Sequence, residues 1–550
     1  MGVSAAPRRR RTPRSVHLSD KLANSVIRLG GVAVIAAVLG ICLYLAAVVV
    51  PLFLPGTADL AGSGVTRLSS SPVAVLPDEY GGTAALVQSD GSVESIVLDS
   101  GQVLGRWEAP TPVSAVSVTP QGQVAWGFED GTFQLGELKS VASTLSPERG
   151  RALGDERVIE QDGPFRGFRS LAESGTERVT TFRLETREAT GPRSSPGPVS
   201  MLDYRVVGGG REMLFTAWED GTARLNTVRV VRPLDGSEPK LRLSGRAVEL
   251  ENRDHGWAVA FSDGDSALTV GRDGQGIRYG VPSEAGRSDP LVAMERLELA
   301  GGAGIRALAV LPGARSLVAG SEEGSIWVWT LSRDPVSNAS DRKRLVLVER
   351  IGAGGEPIVA LTCGQRDRTV TAANAIGEVR QFHITSGKLI ASLKAGAEGV
   401  TNPDTVAMSP RQDMILVADS GGRYARWSVE PGHPGAGWRA LFSRVVYEGE
   451  TEPSWVYQSS SAEDAAEIKL SLVPLIFGTF KATIVAMLIA APLSVLAAIY
   501  SSEFLHRRVR STVKPVIELM ASLPSVVLGF IAMAVVAPWV GEHLAGVMLG

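Results

Sequence analysis

The sequence predicts a multidomain membrane protein in which α-helical transmembrane segments flank one large all-β domain. Three observations carry this. Long apolar stretches with almost no charge lie near both ends of the 550-residue chain. Between them, short apolar runs alternate with glycine-centred turns at a recurring spacing. Lysine and arginine gather beside the apolar stretches, and the middle of the chain is acidic. The length also exceeds what one domain ordinarily holds.

Residues 1–28 form a basic head. Arg8, Arg9, Arg10, Arg11, Arg14, Lys21 and Arg28 stand against Asp20, a net of +6. Leu29 to Leu54 then runs for 26 residues without a charged side chain. About 20 residues cross the hydrocarbon core as a helix, and a cleaved signal peptide has an apolar core of only about 7–15. The stretch therefore reads as a first transmembrane helix at 29–54. The Arg8–Arg11 run also fits a nucleic-acid reading. Retention of basic residues on the cytoplasmic side of a span explains it better, and no nucleic acid is expected as a partner.

Leu470 to Tyr500 is interrupted only by Lys481, and Val516 to Val540 only by Glu518. Leu470 to Phe480 reads as an interfacial helix leading into a span, with Lys481 either snorkelling to a headgroup of the membrane lipid or facing protein. Residues 501–515 between the two stretches read as a basic loop of net +3. Both basic segments then share the cytoplasm, and 55–469 lies outside. Ala545, Val547, Met548 and Leu549 open another apolar stretch, so further spans are expected beyond Gly550.

The outer region spans 55–445, with 446–469 as a linker back to the membrane. It carries most of the −11 left for residues 29–480 once the ends are removed from the total of −3. A strand, an acidic-Gly or Gly turn and a second strand recur at Asp90-Gly91, Asp130-Gly131, Asp220-Gly221, Asp273-Gly274, Glu323-Gly324, Ile376-Gly377 and Gly421-Gly422. The last five are 45–53 residues apart and the first two 40 apart. A gap of 90 separates Gly131 from Gly221, and a weaker copy at Ser174-Gly175 divides it nearly equally. Such turns supply the positive φ of a tight hairpin. A period of about 40–50 with four short strands is the mark of a β-propeller blade. Seven blades are expected, with eight as the alternative, and 139–200 reads as an insertion on one blade. A β-sandwich pair or a mixed β domain is the competing architecture. The region resembles divergent WD-repeat propellers without their regular Trp-Asp endings.

No catalytic constellation stands out, and no metal or cofactor is expected. The six histidines are scattered, and Cys42 and Cys363 lie in different regions. No Gly-x-x-x-x-Gly-Lys-[Ser/Thr] loop occurs, so the chain is not expected to be an enzyme or to hydrolyse ATP itself. Glu518 is the charge of interest, because ionisable groups inside spans are costly and commonly functional. Pairing with Lys514 at the cytoplasmic interface is its structural alternative. Pro524 is expected to break the helix and make a substrate pathway near Ser522 and Ser525.

Leu475-Ile-Phe-Gly-Thr-Phe480, Ala490-Ala-Pro-Leu-Ser-Val-Leu-Ala-Ala-Ile-Tyr500, Ser501-Ser-Glu-Phe504 and Lys514-Pro-Val-Ile-Glu-Leu-Met-Ala-Ser-Leu-Pro-Ser-Val-Val-Leu-Gly-Phe530 occur in that order. They resemble the membrane domain of phosphate ABC importer permeases of the PstC/PstA type, starting at 470–550. The resemblance implies a subunit of the bacterial inner membrane. It implies a second permease subunit, a cytoplasmic ATP-binding subunit dimer and a periplasmic phosphate-binding protein as partners. It makes Glu518, Ser522 and Ser525 pathway candidates. The family's cytoplasmic Glu-Ala-Ala-like coupling motif does not occur before Gly550. A membrane-anchored propeller acting as a scaffold or sensor of the cell envelope is the alternative.

Overall fold

The computed structural model describes residues 14–154, 156–171, 175–187, 190–191, 197–231, 240–251, 256–286, 289–352, 355–460, 467–521 and 525–543. The molecule divides into two compact units, Met1–Val473 and Pro474–Gly550. The Arg8–Arg11 run, Ser174, Ser522, Pro524 and the apolar residues from Ala545 onward lie outside the described residues.

The first unit begins with the helix Arg14–Phe53 and continues into seven antiparallel sheets. These form seven blades over residues 72–107, 113–186, 199–247, 257–298, 305–352, 358–394 and 405–430. Within each blade the first strand is innermost. The second strands read as continuous apolar runs because sheets cover them on both faces, and Thr83–Gln88, Gln123–Phe128, Ser316–Ser321 and Thr369–Asn374 are buried throughout. Between blades 1 and 2, Val87 and Val93 pack with Val124, Trp126 and Phe128.

The seven predicted turn glycines all join the second strand of a blade to the third. Their φ values lie between 76° and 90°. Four aspartates brace these turns by accepting a backbone N–H two residues on: Asp90 from Ser92 at 2.9 Å, Asp130 from Thr132 at 2.8 Å, Asp220 from Thr222 at 2.7 Å and Asp273 from Gln275 at 3.0 Å. The weaker copy is different. Gly175, φ 76°, turns between Gly167–Leu171 and Glu177–Thr186, which are extra strands of blade 2. That sheet has six strands, and the Gly175 hairpin makes no blade of its own. This removes the eighth blade.

The ring closes through a strand from the other end of the domain. Thr57–Val65 pairs antiparallel with Arg423–Glu430 and becomes the outer strand of blade 7. Closure leaves no pair of free blade faces at the start and end of the ring. Indole donors tie neighbouring blades: Trp126 Nε1 donates to Gly91 O and Trp218 Nε1 to Gly131 O, each at 2.9 Å.

Residues 446–469 fold back onto blades 5 and 6 where they are described, and Tyr457–Gln458 pairs with Lys469–Leu470. An interfacial helix over Leu470–Phe480 does not form. Leu470 is in a strand, and one unbroken helix, Val473–Ile499, runs through Lys481. Pro474 sits in its first turn, where a missing N–H costs nothing.

The second unit continues through a π-helical turn at Tyr500–Phe504 into Arg507–Ala521. Thus part of the expected basic loop is helical. Ser525–Ile531, a π turn at Ala532–Val536 and Ala537–Glu542 follow. The first residues of the stretch Val516–Val540 belong to the helix Arg507–Ala521, which begins before it. Among the described residues, two helices are long and apolar enough to cross a membrane, Lys21–Phe53 and Val473–Phe504.

Candidate functional site

Of the predicted pathway residues, Glu518 and Ser525 fall on the short helices of the second unit. Glu518 lies one turn after Lys514, with Oε1 3.9 Å from Nζ. Both side chains are largely exposed, at 68% and 74%, so the pair contributes little to stability. Lys precedes Glu, the less favourable order against the helix dipole. Ser525 opens the next helix and is exposed; Ser522 lies outside the described residues. No structural contact joins Glu518 to Ser525 among the described residues.

Val473–Ile499 turns its own hydroxyls inward to backbone. Thr479 Oγ1 donates to Leu475 O at 2.9 Å, Thr483 to Thr479 O at 2.8 Å and Ser494 to Ala491 O at 2.9 Å. These bonds satisfy polar groups locally, as a helix in hydrocarbon requires. Pro492 removes one backbone donor inside the same helix. Phe477, Leu488 and Leu496 are exposed, and none of the apolar window of this helix is buried among the described residues.

In the propeller, the inner strands of all seven blades line a central cavity of about 480 Å³. Val75, Val116, Leu202, Ala258, Leu308, Thr362 and Met408 represent one blade each. Its charged lining residues, Asp203 and Arg205, neutralise each other: Arg205 Nε donates to Asp203 Oδ2 at 2.8 Å. The same oxygen accepts the Ala260 N–H at 2.7 Å. Among the described residues, the cavity thus offers an anion no unpartnered cation. Gln365 Nε2 of blade 6 donates across one mouth to Pro120 O of blade 2 at 2.6 Å.

A buried ionic cluster pins the returning segment. Arg368, in the first turn of blade 6, lies 2.9 Å from Glu448 and 3.6 Å from Glu467. Glu448 Oε1 accepts from Ser316 Oγ at 2.6 Å, and Glu467 Oε2 accepts the Glu448 N–H at 2.6 Å. Thr385 Oγ1 also donates to Glu467. Burial opposes the Arg368 charge, yet the two glutamates hold its pKa above the ordinary value. Nearby, burial pushes His383 well below its ordinary 6.5 and pushes the Cys363 thiol up to about 12. Sequence reasoning missed this cluster, because Arg368 lies 80 and 99 residues from its two glutamates with no local motif. Among the described residues, no group of His, Cys, Asp or Glu is arranged to hold a metal ion.

No family model matches the chain. A probable ABC transporter permease protein, YqgH of Bacillus subtilis, is 42% identical over 74 residues, covering 14% of this chain and 24% of that protein. The phosphate transport system permease protein PstC 1 of Mycobacterium tuberculosis is 40% identical over 104 residues, covering 19% of this chain and 27% of its own length. The PstC 1 of Mycobacterium bovis matches to the same extent. The chain thus spans about a quarter of the length of these curated relatives. It contains a segment similar to ABC transporter permeases. Among solved structures, the β-propeller domain of Cps50 (Swd1) from Myceliophteria thermophila aligns with a TM-score of 0.41 and 13% identity, over 68% of this chain and all of that one.

Proposed function

We propose that the chain is a permease subunit of an ABC importer for inorganic phosphate in the bacterial inner membrane. It forms the translocation pathway with a second permease subunit. A separate ATP-binding dimer supplies the energy, and a periplasmic phosphate-binding protein delivers the solute. The observation that carries the reading is the permease-like segment, in a chain whose apolar helices Lys21–Phe53 and Val473–Phe504 are uncovered among the described residues. The basic flanks of the apolar stretches support, by the positive-inside rule, a cytoplasmic N-terminus and a periplasmic propeller. Glu518, Ser522 and Ser525 are its pathway candidates.

The test is uptake of radiolabelled phosphate at low external concentration by cells lacking the gene. Loss of high-affinity uptake, restored by the gene, is expected; normal uptake overturns the reading. A second reading, an envelope scaffold or sensor, draws on one observation. The closed ring occupies residues 57–430, whereas the relatives match only 14–19% of the chain. Absence of a co-purifying ATPase together with normal uptake would favour it.

A further inference from the structure

We propose that one side of the propeller rests on the lipid bilayer through an aromatic platform of Phe53, Trp438, Phe442 and Trp455. This rests on the reading that Lys21–Phe53 and Val473–Phe504 cross the membrane. The platform is centred on the short helix Trp438–Phe442, on the side of the ring where Ser386 and Gly387 turn between the last two strands of blade 6. Gly437 packs against Ser386, and Arg439 pairs with Glu349 of blade 5.

The end of the first apolar helix and the backbone that precedes the second are both held at this element. At the end of the first, the Phe53 ring stacks on Trp438 with centroids 5.0 Å apart, and Trp438 stacks on Phe442 at 5.3 Å. Lys388 of blade 6 donates to Leu52 O at 3.2 Å and so caps that helix end. The backbone entering the second helix is held by the same turn: Leu472 N donates to Leu441 O at 2.8 Å. The points where the chain leaves and re-enters apolar sequence therefore converge on one patch.

The patch has the chemistry of a headgroup layer. Trp438 is 69% exposed, an unusual state for a tryptophan facing water alone. Phe442 and Trp455 are also exposed. Trp455 presents its ring while Nε1 donates to Phe442 O at 3.1 Å. Arg444 lies over that ring, 4.2 Å from its centroid. Among the described residues, Arg444 and Lys388 make no ion pair with a carboxylate, which leaves them suited to lipid phosphate. Tryptophan concentrates at this depth because its ring is apolar and its edge polar.

The full chain is placed in vesicles of phosphatidylethanolamine and phosphatidylglycerol, with a fluorophore on one cysteine at a time. Cys363 is buried and stays silent. Cys42, inside the first helix, reports whether that helix is in the bilayer. Ser443→Cys in a Cys42→Ala background reports the platform, and Glu323→Cys in the same background reports the opposite side of blade 5. Lipids spin-labelled near the headgroup should quench the 443 label roughly twofold or more and leave the 323 label unchanged. Trp438→Ser with Trp455→Ser should weaken quenching at 443. Quenching at Cys42 without quenching at 443 overturns the platform alone. No quenching at Cys42 by lipids spin-labelled deep in the acyl chain overturns the membrane reading and the platform with it.

Discussion

Several ion pairs in the propeller are buried and bridge distant parts of the chain, whereas the Lys514–Glu518 pair on the C-terminal helices is exposed and joins near neighbours. Arg278 has no exposed side-chain surface and binds Glu295 at 3.1 Å together with Asp341 on the next blade. Lys514 and Glu518 are one helical turn apart and open to their surroundings. The apolar residues are distributed the opposite way. The ring hides its Val, Leu and Ile between blades, and Val473–Ile499 displays them. The difference teaches that the propeller is specified by its own sequence. The helices leave their specification incomplete until lipid or other helices cover them.

The largest effect is expected where this contrast is sharpest. Arg368→Ala leaves Glu448 and Glu467 buried without their cation. Breaking such a pair costs about 3–5 kcal/mol, so the propeller's thermal midpoint in detergent should fall steeply. A change equivalent to under about 1 kcal/mol would show that water enters the cluster and that the returning segment is not locked by it.

Glycines provide the next comparison. A Cβ on Gly422 would lie 1.9 Å from Thr66 O, where the first strand closes the ring, and φ is 76°. Gly422→Ala should cost about 2 kcal/mol or more, from the left-handed backbone and the forced shift of the closing strand. Gly478 in Val473–Ile499 has nothing within 4 Å of the same added atom. Gly478→Ala should leave the midpoint unchanged or raise it, because alanine favours the helix by about 0.5–1 kcal/mol. Equal losses at both sites, measured by circular dichroism melts, would break the distinction between a closed and an uncovered region.

The same contrast explains what was legible in the sequence. Turn chemistry is local, so Asp90-Gly91 through Gly421-Gly422 announced the blades, and an uncharged run such as Leu29–Leu54 announced its helix. Long-range pairing leaves no such trace. Thr57–Val65 contains two glycines and few apolar residues, and only its partner Arg423–Glu430 makes it a strand. Gly175 imitates a blade turn because every hairpin uses the same backbone device. The basic residues from Arg507 read as loop, although Arg and Lys are good helix formers once one face is apolar. Of the pathway candidates, Glu518 was legible as a lone charge in an apolar run, and its structural alternative, pairing with Lys514, is the contact found on helix Arg507–Ala521.

A smaller effect concerns pH. His383 is buried and its pKa is held below 6.5, so the folded protein resists a proton that the unfolded chain accepts. Stability from this group is complete above about pH 6.5 and is lost progressively as pH falls below it. His383→Gln should therefore flatten the acid side of the stability profile by a few degrees in midpoint between about pH 6.5 and 5. An unchanged acid limb would show that His383 does not set it.

The smallest structural effect belongs to Glu518→Gln. Its partner is exposed, the order along the helix is the weaker one, and the pair is worth at most a few tenths of a kcal/mol, so the melting midpoint should not move. That silence makes the variant informative. A buried charge in the propeller cannot be changed without damaging the fold, so its role is hidden behind stability. At Glu518 a fall in phosphate uptake with an unchanged midpoint would have no structural explanation, and would place the carboxylate in the pathway. Unchanged uptake would leave it as a partner of Lys514 and move the search to Ser525.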